Sequence, residues 1–252
     1  MLHRDQLEAY LNDYLSVESI SDYAPNGLQV EGREEIGRLV TGVSACASLL
    51  EKAEAAKADA ILVHHGYFWK GEENRIVGYK ARRLRRLLCS GMNLFAYHLP
   101  LDVHHEVGNN AALGDMLELT TESRYSIKGI PDLLWSGVPG QELSANQLSQ
   151  RLESVLGQAP LHVDSGPGLI RRIAWCSGGA ERLIEQACAY GADAFISGEI
   201  SEPIPHIARE AGIHYFAAGH HATERGGVQR LGEHIAAKFD IDHQYIEIAN
   251  PA

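Results

Sequence analysis

The chain has 252 residues, 45% of them hydrophobic and 22% charged, and a formal net charge of -11. That is enough apolar material for one large domain or two smaller lobes, while the acidic balance disfavours a broad nucleic-acid footprint, which rests on lysine and arginine. The four cysteines, Cys46, Cys89, Cys176 and Cys188, lie far apart with no Cys-x-x-Cys pair, so a zinc ribbon and a redox motif are excluded and reduced thiols are expected.

The opening residues MLHRDQLEAYLNDYL place charge and apolar positions at helical spacing, giving a helix over Asp5 to Leu15 and no signal-peptide core. No later stretch approaches the ~18 apolar residues of a membrane span; a soluble, cytoplasmic protein without a membrane partner is expected. Pro25-Asn26-Gly27 breaks the chain, after which strands and helices alternate. Arg38 to Val43 predicts a buried strand, Cys46 to Lys57 a helix, Asp59 to Val63 a strand, Val77 to Cys89 a helix ended by Ser90-Gly91, and Asn93 to Tyr97 a strand. Arg82, Arg83, Arg85 and Arg86 fan around the Val77 to Cys89 helix, as a solvated or inter-subunit face or as a phosphate-binding patch.

The same order returns after about residue 170: strand Arg172 to Cys176, helix Glu181 to Tyr190, strand Ala192 to Ser197, helix Ile204 to Ala211, strand Ile213 to Ala217. The residues match as well: KADAILVHHG aligns with GADAFISGEI, and GMNLFAYHLPLD with GIHYFAAGHHATE if one residue is inserted. This is a diverged internal duplication. The expected fold is therefore α/β, with two pseudo-repeated βαβαβ lobes, residues 1–124 and 169–252, completing one core. Residues 125–168, with strand-like Leu133 to Val138 and Leu161 to Val163 and a helix over Ala145 to Leu156, form a small central α+β insert.

In parallel α/β folds ligands bind outside the carboxyl ends of the strands. His64-His65-Gly66 follows AILV, His98-Leu-Pro-Leu-Asp102 follows LFAY, and Gly219-His220-His221-Ala-Thr-Glu224 follows YFAA. Each motif puts imidazole or carboxylate where a strand stops. His98 with Asp102 and His220 with Glu224 share a four-residue spacing, and the alignment superposes the pairs; on a helix that spacing sets both side chains on one face. Mixed imidazole and carboxylate donors suit borderline divalent ions, whereas calcium wants nearly all oxygen. The expected site therefore lies between the lobes at strand ends and holds two divalent transition-metal ions per chain, zinc, manganese, iron and nickel not being distinguishable. An isolated strand-end histidine is more often a hydrogen-bonded structural residue; three clusters at corresponding ends argue for ligation. Such ions support hydrolysis, and no Gly-x-Ser-x-Gly elbow or P-loop offers another chemistry.

The segments NGLQVEG (26–32), ILVHHGYFWKG (61–71), FAYHLPLD (95–102), SGGA (177–180) and GHHATERGG (219–227) resemble the GTP cyclohydrolase I type 2 homolog family, Ngg1-interacting-factor-like proteins, in its short bacterial members. The resemblance spans nearly the whole chain. It implies a dinuclear metal site of His64, His65, Asp102, His220 and Glu224, a two-lobed α/β fold and a hexameric homo-oligomeric ring. His98 is then either a further ligand or, the favoured reading, an outer partner that orients Asp102 or a bound water. His221 has no assigned role, and His104 and His105 are expected to be exposed loop residues. Gly178-Gly179 is a phosphate cradle or a tight turn, and Asn26-Gly27 is a turn that lines the pocket at most. The implied function is metal-dependent hydrolysis of a small molecule, a nucleotide or related heterocycle. A phosphoesterase or peptidase, and a non-catalytic regulatory ring that binds a partner or nucleic acid, stand as alternatives.

Overall fold

The computed structural model describes residues 2–252. In chain order the strands are β1 (Leu2–His3), β2 (Gly27–Val30), β3 (Glu35–Ile36), β4 (Arg38–Ser44), β5 (Ala60–His65), β6 (Asn93–Ala96), β7 (Leu119–Ile127), β8 (Ile130–Pro139), β9 (Leu161–Val163), β10 (Ile173–Trp175), β11 (Ala194–Ser197), β12 (His214–Ala217) and β13 (Asp242–Tyr245). The chain divides into two compact α/β units, residues 1–101 with 227–249 and residues 102–226 with 250–252.

The first unit is built on a five-stranded sheet in the order β13-β4-β5-β6-β2, with β1 and β3 forming a separate antiparallel ribbon. β4, β5 and β6 run parallel, and β2 closes the edge antiparallel to β6. Ala60 to Val63 is fully buried because helices must cover a parallel sheet. Leu49, Leu50 and Ala53 of the helix Ala47–Ala55, and Leu84 and Leu87 of the helix Gly78–Ser90, share a core with Val40, Ile61 and Val63. The second helix ends at Gly91, whose φ of +67° is the left-handed stop that glycine accepts without strain.

The second unit carries a six-stranded sheet in the order β7-β8-β10-β11-β12-β9. β10, β11 and β12 repeat the parallel triplet, and β9 lies antiparallel on β12 as β2 does on β6. The duplication legible in the sequence is thus a duplication of sheet topology.

The domain boundaries need correction. Residues 125–168 do not form a separate insert: β8 pairs with β10 across Trp135↔Trp175, and β9 pairs with β12 across His162↔Phe216. Leu148, Leu152 and Leu156 of the helix Ala145–Leu156 are buried with Trp135, Trp175 and Ile196. The physical reason is that a three-stranded parallel sheet leaves two edges of unpaired N–H and C=O groups, and the chain between the repeats supplies strands for both. The C-terminal boundary differs as well, since β13 pairs with β4 of the first unit.

The helix Ala145–Leu156 starts on a capping box, with the Ser144 hydroxyl accepting from Gln147 N and the Gln147 side chain accepting from Ser144 N. Ser144→Ala should cost about 1 kcal/mol, read from urea unfolding as a lower midpoint at unchanged slope.

Candidate metal centre

In the first unit, strands β5 and β6 end beside one another. Their parallel register pairs Val63 with Ala96, so His64, His65 and His98 emerge together, with one ring nitrogen of each within 4.8 Å of the others. The fully buried His64 ring has Nδ1 at 3.0 Å from the Tyr97 carbonyl oxygen. A carbonyl only accepts, so Nδ1 carries the proton and Nε2 the lone pair, the tautomer a metal requires. His65 Nδ1 lies 3.2 Å from Ser44 Oγ, the residue opposite it across the ladder. His98 Nδ1 lies 2.9 Å from the carboxylate of Asp22, and Trp69 and Tyr23 press edge-on against the ring.

The side chain of Asp22 is almost wholly buried, at 3% exposed. Burial pushes its pKa up, but the hydrogen bond and charge of His98 and the bond from Asn26 outweigh it and hold the carboxyl down to about 2. Asn26 does more than turn the chain: its Nδ2 donates to Asp22, and its Oδ1 accepts from the His98 backbone N–H at 2.7 Å.

In the second unit, Asp102 and Glu224 are 5% and 3% exposed, and a carboxylate oxygen of each lies within 4.8 Å of the other. Two buried like charges this close repel strongly in a low dielectric unless a proton or cation sits with them. Asp102 Oδ1 accepts from Asn109 Nδ2 at 2.8 Å and from Ser177 Oγ at 3.0 Å. His220 lies on the short helix His220–Thr223, its Nε2 3.1 Å from Glu224 Oε1 and its Nδ1 2.6 Å from Glu199 Oε1. Burial of the ring opposes its charge, yet the bond and charge of Glu224, then of Glu199, prevail and raise the His220 pKa to about 9.

Gly178 has φ +66°, and a Cβ there would stand 2.2 Å from Glu224 Oε1. The missing Cβ of Gly178 thus clears room for the carboxylate. The nearby Cys176 thiol is fully buried, which pushes its pKa up and keeps it from acting as a nucleophile.

Each unit thus collects its own donors: His64, His65 and His98 in the first, Asp102, His220 and Glu224 in the second. His221 is buried beside this set, its backbone N–H bonded to the carbonyl of Ala252. His104 departs from expectation, being buried with Nδ1 accepting from the backbone of Glu106 and Val107; His105 is exposed as expected. Sequence reasoning missed Asp22, Ser177, Asn109 and Glu199. For Glu199 the signal was present: in the alignment of KADAILVHHG with GADAFISGEI it stands opposite His65. In the arginine-rich helix, Arg86 is bound to Glu51 and Glu54, and Arg83 lies over the Tyr79 ring.

The donor set fits a borderline divalent ion: imidazoles with Nδ1 turned to oxygen partners, and buried carboxylates too close to stand together without a proton or a cation. The fold and these clusters define a two-unit α/β protein with a candidate metal centre. The chain belongs to the Duf34/NIF3 (NGG1p interacting factor 3) family, whose model matches residues 2–251. It is 51% identical over 248 residues to a Yersinia pestis protein named GTP cyclohydrolase 1 type 2 homolog, covering 98% of each chain. The solved structure of protein ybgI, titled as of unknown function, superposes with a TM-score of 0.96 at 46% identity over 100% of both chains. That of TTHA1606 from Thermus thermophilus gives 0.90 at 33%, again over 100% of both. Among the described residues no helix is long and apolar enough to cross a membrane.

Proposed function

We propose that the chain is a dinuclear metal-dependent hydrolase in which His64, His65, Asp102, His220 and Glu224 ligate two divalent ions, with a nucleotide or related heterocycle as substrate. The observation that carries the reading is the pair of buried carboxylates, Asp102 and Glu224, with oxygens within 4.8 Å; a structure retains such a pair when a cation neutralises it. Bound there, the ions supply Lewis acidity and a nucleophile available at neutral pH. The protein's own residues set the geometry. The Tyr97 carbonyl fixes the His64 tautomer, Asn109 and Ser177 occupy one oxygen of Asp102, and Glu199 holds Nδ1 of His220 so that Nε2 faces Glu224. His98, held by Asp22, supports the site from outside the ligand set.

Glu199 acts through His220, so Glu199→Gln should weaken metal binding by roughly 10 to 100-fold, as loss of a ligand-orienting partner does, with the ion count unchanged at saturation; competition with a chromogenic chelator measures it. The nucleotide assignment follows the name borne by the relatives. The test is a screen of metal-replete protein against nucleotides, phosphoesters and peptides, with metal content measured in parallel. Nucleotide turnover abolished by Glu224→Gln supports the reading. Turnover of esters or peptides alone moves it to the phosphoesterase or peptidase alternative, and metal-replete protein that turns over nothing leaves the regulatory one. The hexameric ring belongs to the same proposal and is checked by light scattering on the eluting protein.

A further inference from the structure

A second cluster of ligand-type side chains lies at the other end of the second sheet and shares no residue with the candidate metal centre. β12 runs from His214 to Ala217, so His214 opens the strand whose far end leads to His220. Its edge partner β9 carries His162, which pairs with Phe216 and stacks on that ring at a centroid distance of 4.3 Å. His214 and Phe216 are two apart and share a face, which brings the two imidazoles together. His162 Nε2 lies 3.2 Å from His214 Nδ1, and Asp164, just beyond β9, places Oδ1 3.3 Å from the same Nδ1.

The loop after β9 clamps the buried His214 ring. His214 Nε2 donates to the Pro167 carbonyl at 2.9 Å, which leaves Nδ1 with the lone pair. That lone pair accepts a long bond from Gly166 N at 3.3 Å and lies against the second imidazole and the Asp164 carboxylate. A tetrahedral zinc ion with bonds of about 2.0 to 2.2 Å separates its ligand atoms by about 3.3 Å, and the two observed spacings match.

The duplication argues that this cluster exceeds what the fold needs. In the first unit Asn93 stands at the position of His214 and pins the equivalent loop, accepting from Gly32 N and donating to the Arg33 and Asp59 carbonyls. By strand register Leu28 stands where His162 does, and Glu31 follows its strand as Asp164 follows β9. An amide and a leucine suffice for the structural task in one copy; the other copy carries three ligand-type groups within 4.8 Å.

We propose that His162, Asp164 and His214 form a separate site for one borderline divalent transition ion of the zinc type, which ties the edge strand β9 and its loop to β12. The fourth position faces solvent, because Asp164 is exposed, so water completes the shell.

The test uses the full-length protein stripped of metal and dialysed against Zn²⁺, with bound zinc counted per chain. His162→Leu installs the residue of the sister copy and Asp164→Asn changes an exposed side chain, so both variants should fold, as circular dichroism will verify. The expected result is one zinc fewer per chain in His162→Leu and at least about 10-fold weaker binding of that same ion in Asp164→Asn, with the remaining stoichiometry untouched. Unchanged zinc content and affinity in either folded variant overturns the site. The count is a difference between variants, so it stands whether or not the proposed dinuclear centre fills.

Discussion

Replacing Glu224 by alanine should strip metal from the protein far more thoroughly than replacing His98. Glu224 is 3% exposed, bonded to His220 and within 4.8 Å of the Asp102 carboxylate. Its removal withdraws a negative charge from a buried pocket where Coulomb interactions are little screened and, in the proposed arrangement, a direct bond to the ions. The expected loss in affinity exceeds about 100-fold, beyond the 10 to 100-fold of an outer partner. His98→Ala should fall within that lower range, since in the proposed arrangement its ring, held by Asp22, supports the site from outside the ligand set. Titration with Mn²⁺ or Zn²⁺ decides, after thermal unfolding of the metal-free variants has matched the metal-free parent. Equal losses would make His98 a ligand, an outcome its position among His64 and His65 allows.

The largest expected effect on stability is deletion of residues 125–168 closed by a short Gly-Ser linker. The deletion removes β8, β9 and the end of β7, and so bares both flanks of β10-β11-β12. It also takes Trp135, Leu148, Leu152 and Leu156 from one core. Truncating a single such side chain to alanine typically costs 2 to 5 kcal/mol, so four together amount to roughly 8 to 20 kcal/mol, against a typical domain stability of about 5 to 15 kcal/mol. The second unit should not fold, read as loss of its cooperative transition in circular dichroism. A folded product that retains that transition would restore 125–168 as a dispensable insert.

The error that this deletion exposes has a simple origin. Residues 125–168 read as an insert because prolines and glycines border them, but such punctuation marks turns and says nothing of which sheet a strand joins. β7 alternates exposed and partly buried positions as any half-covered strand does, and nothing local distinguishes pairing with β8 alone from membership of a six-stranded sheet. The same holds for β13, whose partner β4 lies about 200 residues away.

What the sequence determined by itself was whatever is periodic or repeated. The buried runs Ala60 to Val63 and Ala194 to Ser197, the helices between strands and the duplication follow from hydrophobic patterning, which acts over a few residues and survives in the letters. The strand-end placement of His64, His65, His98 and His220 follows from it, because a motif just after a parallel strand has one place to go. Tertiary structure decided which distant side chains hold the residues of those motifs. Asp22 reaches His98 across 76 positions and Ser177 reaches Asp102 across 75. Such partners are chosen by where separate chain segments come to rest in the fold, and a hydrogen bond between distant residues leaves no period in the sequence between them.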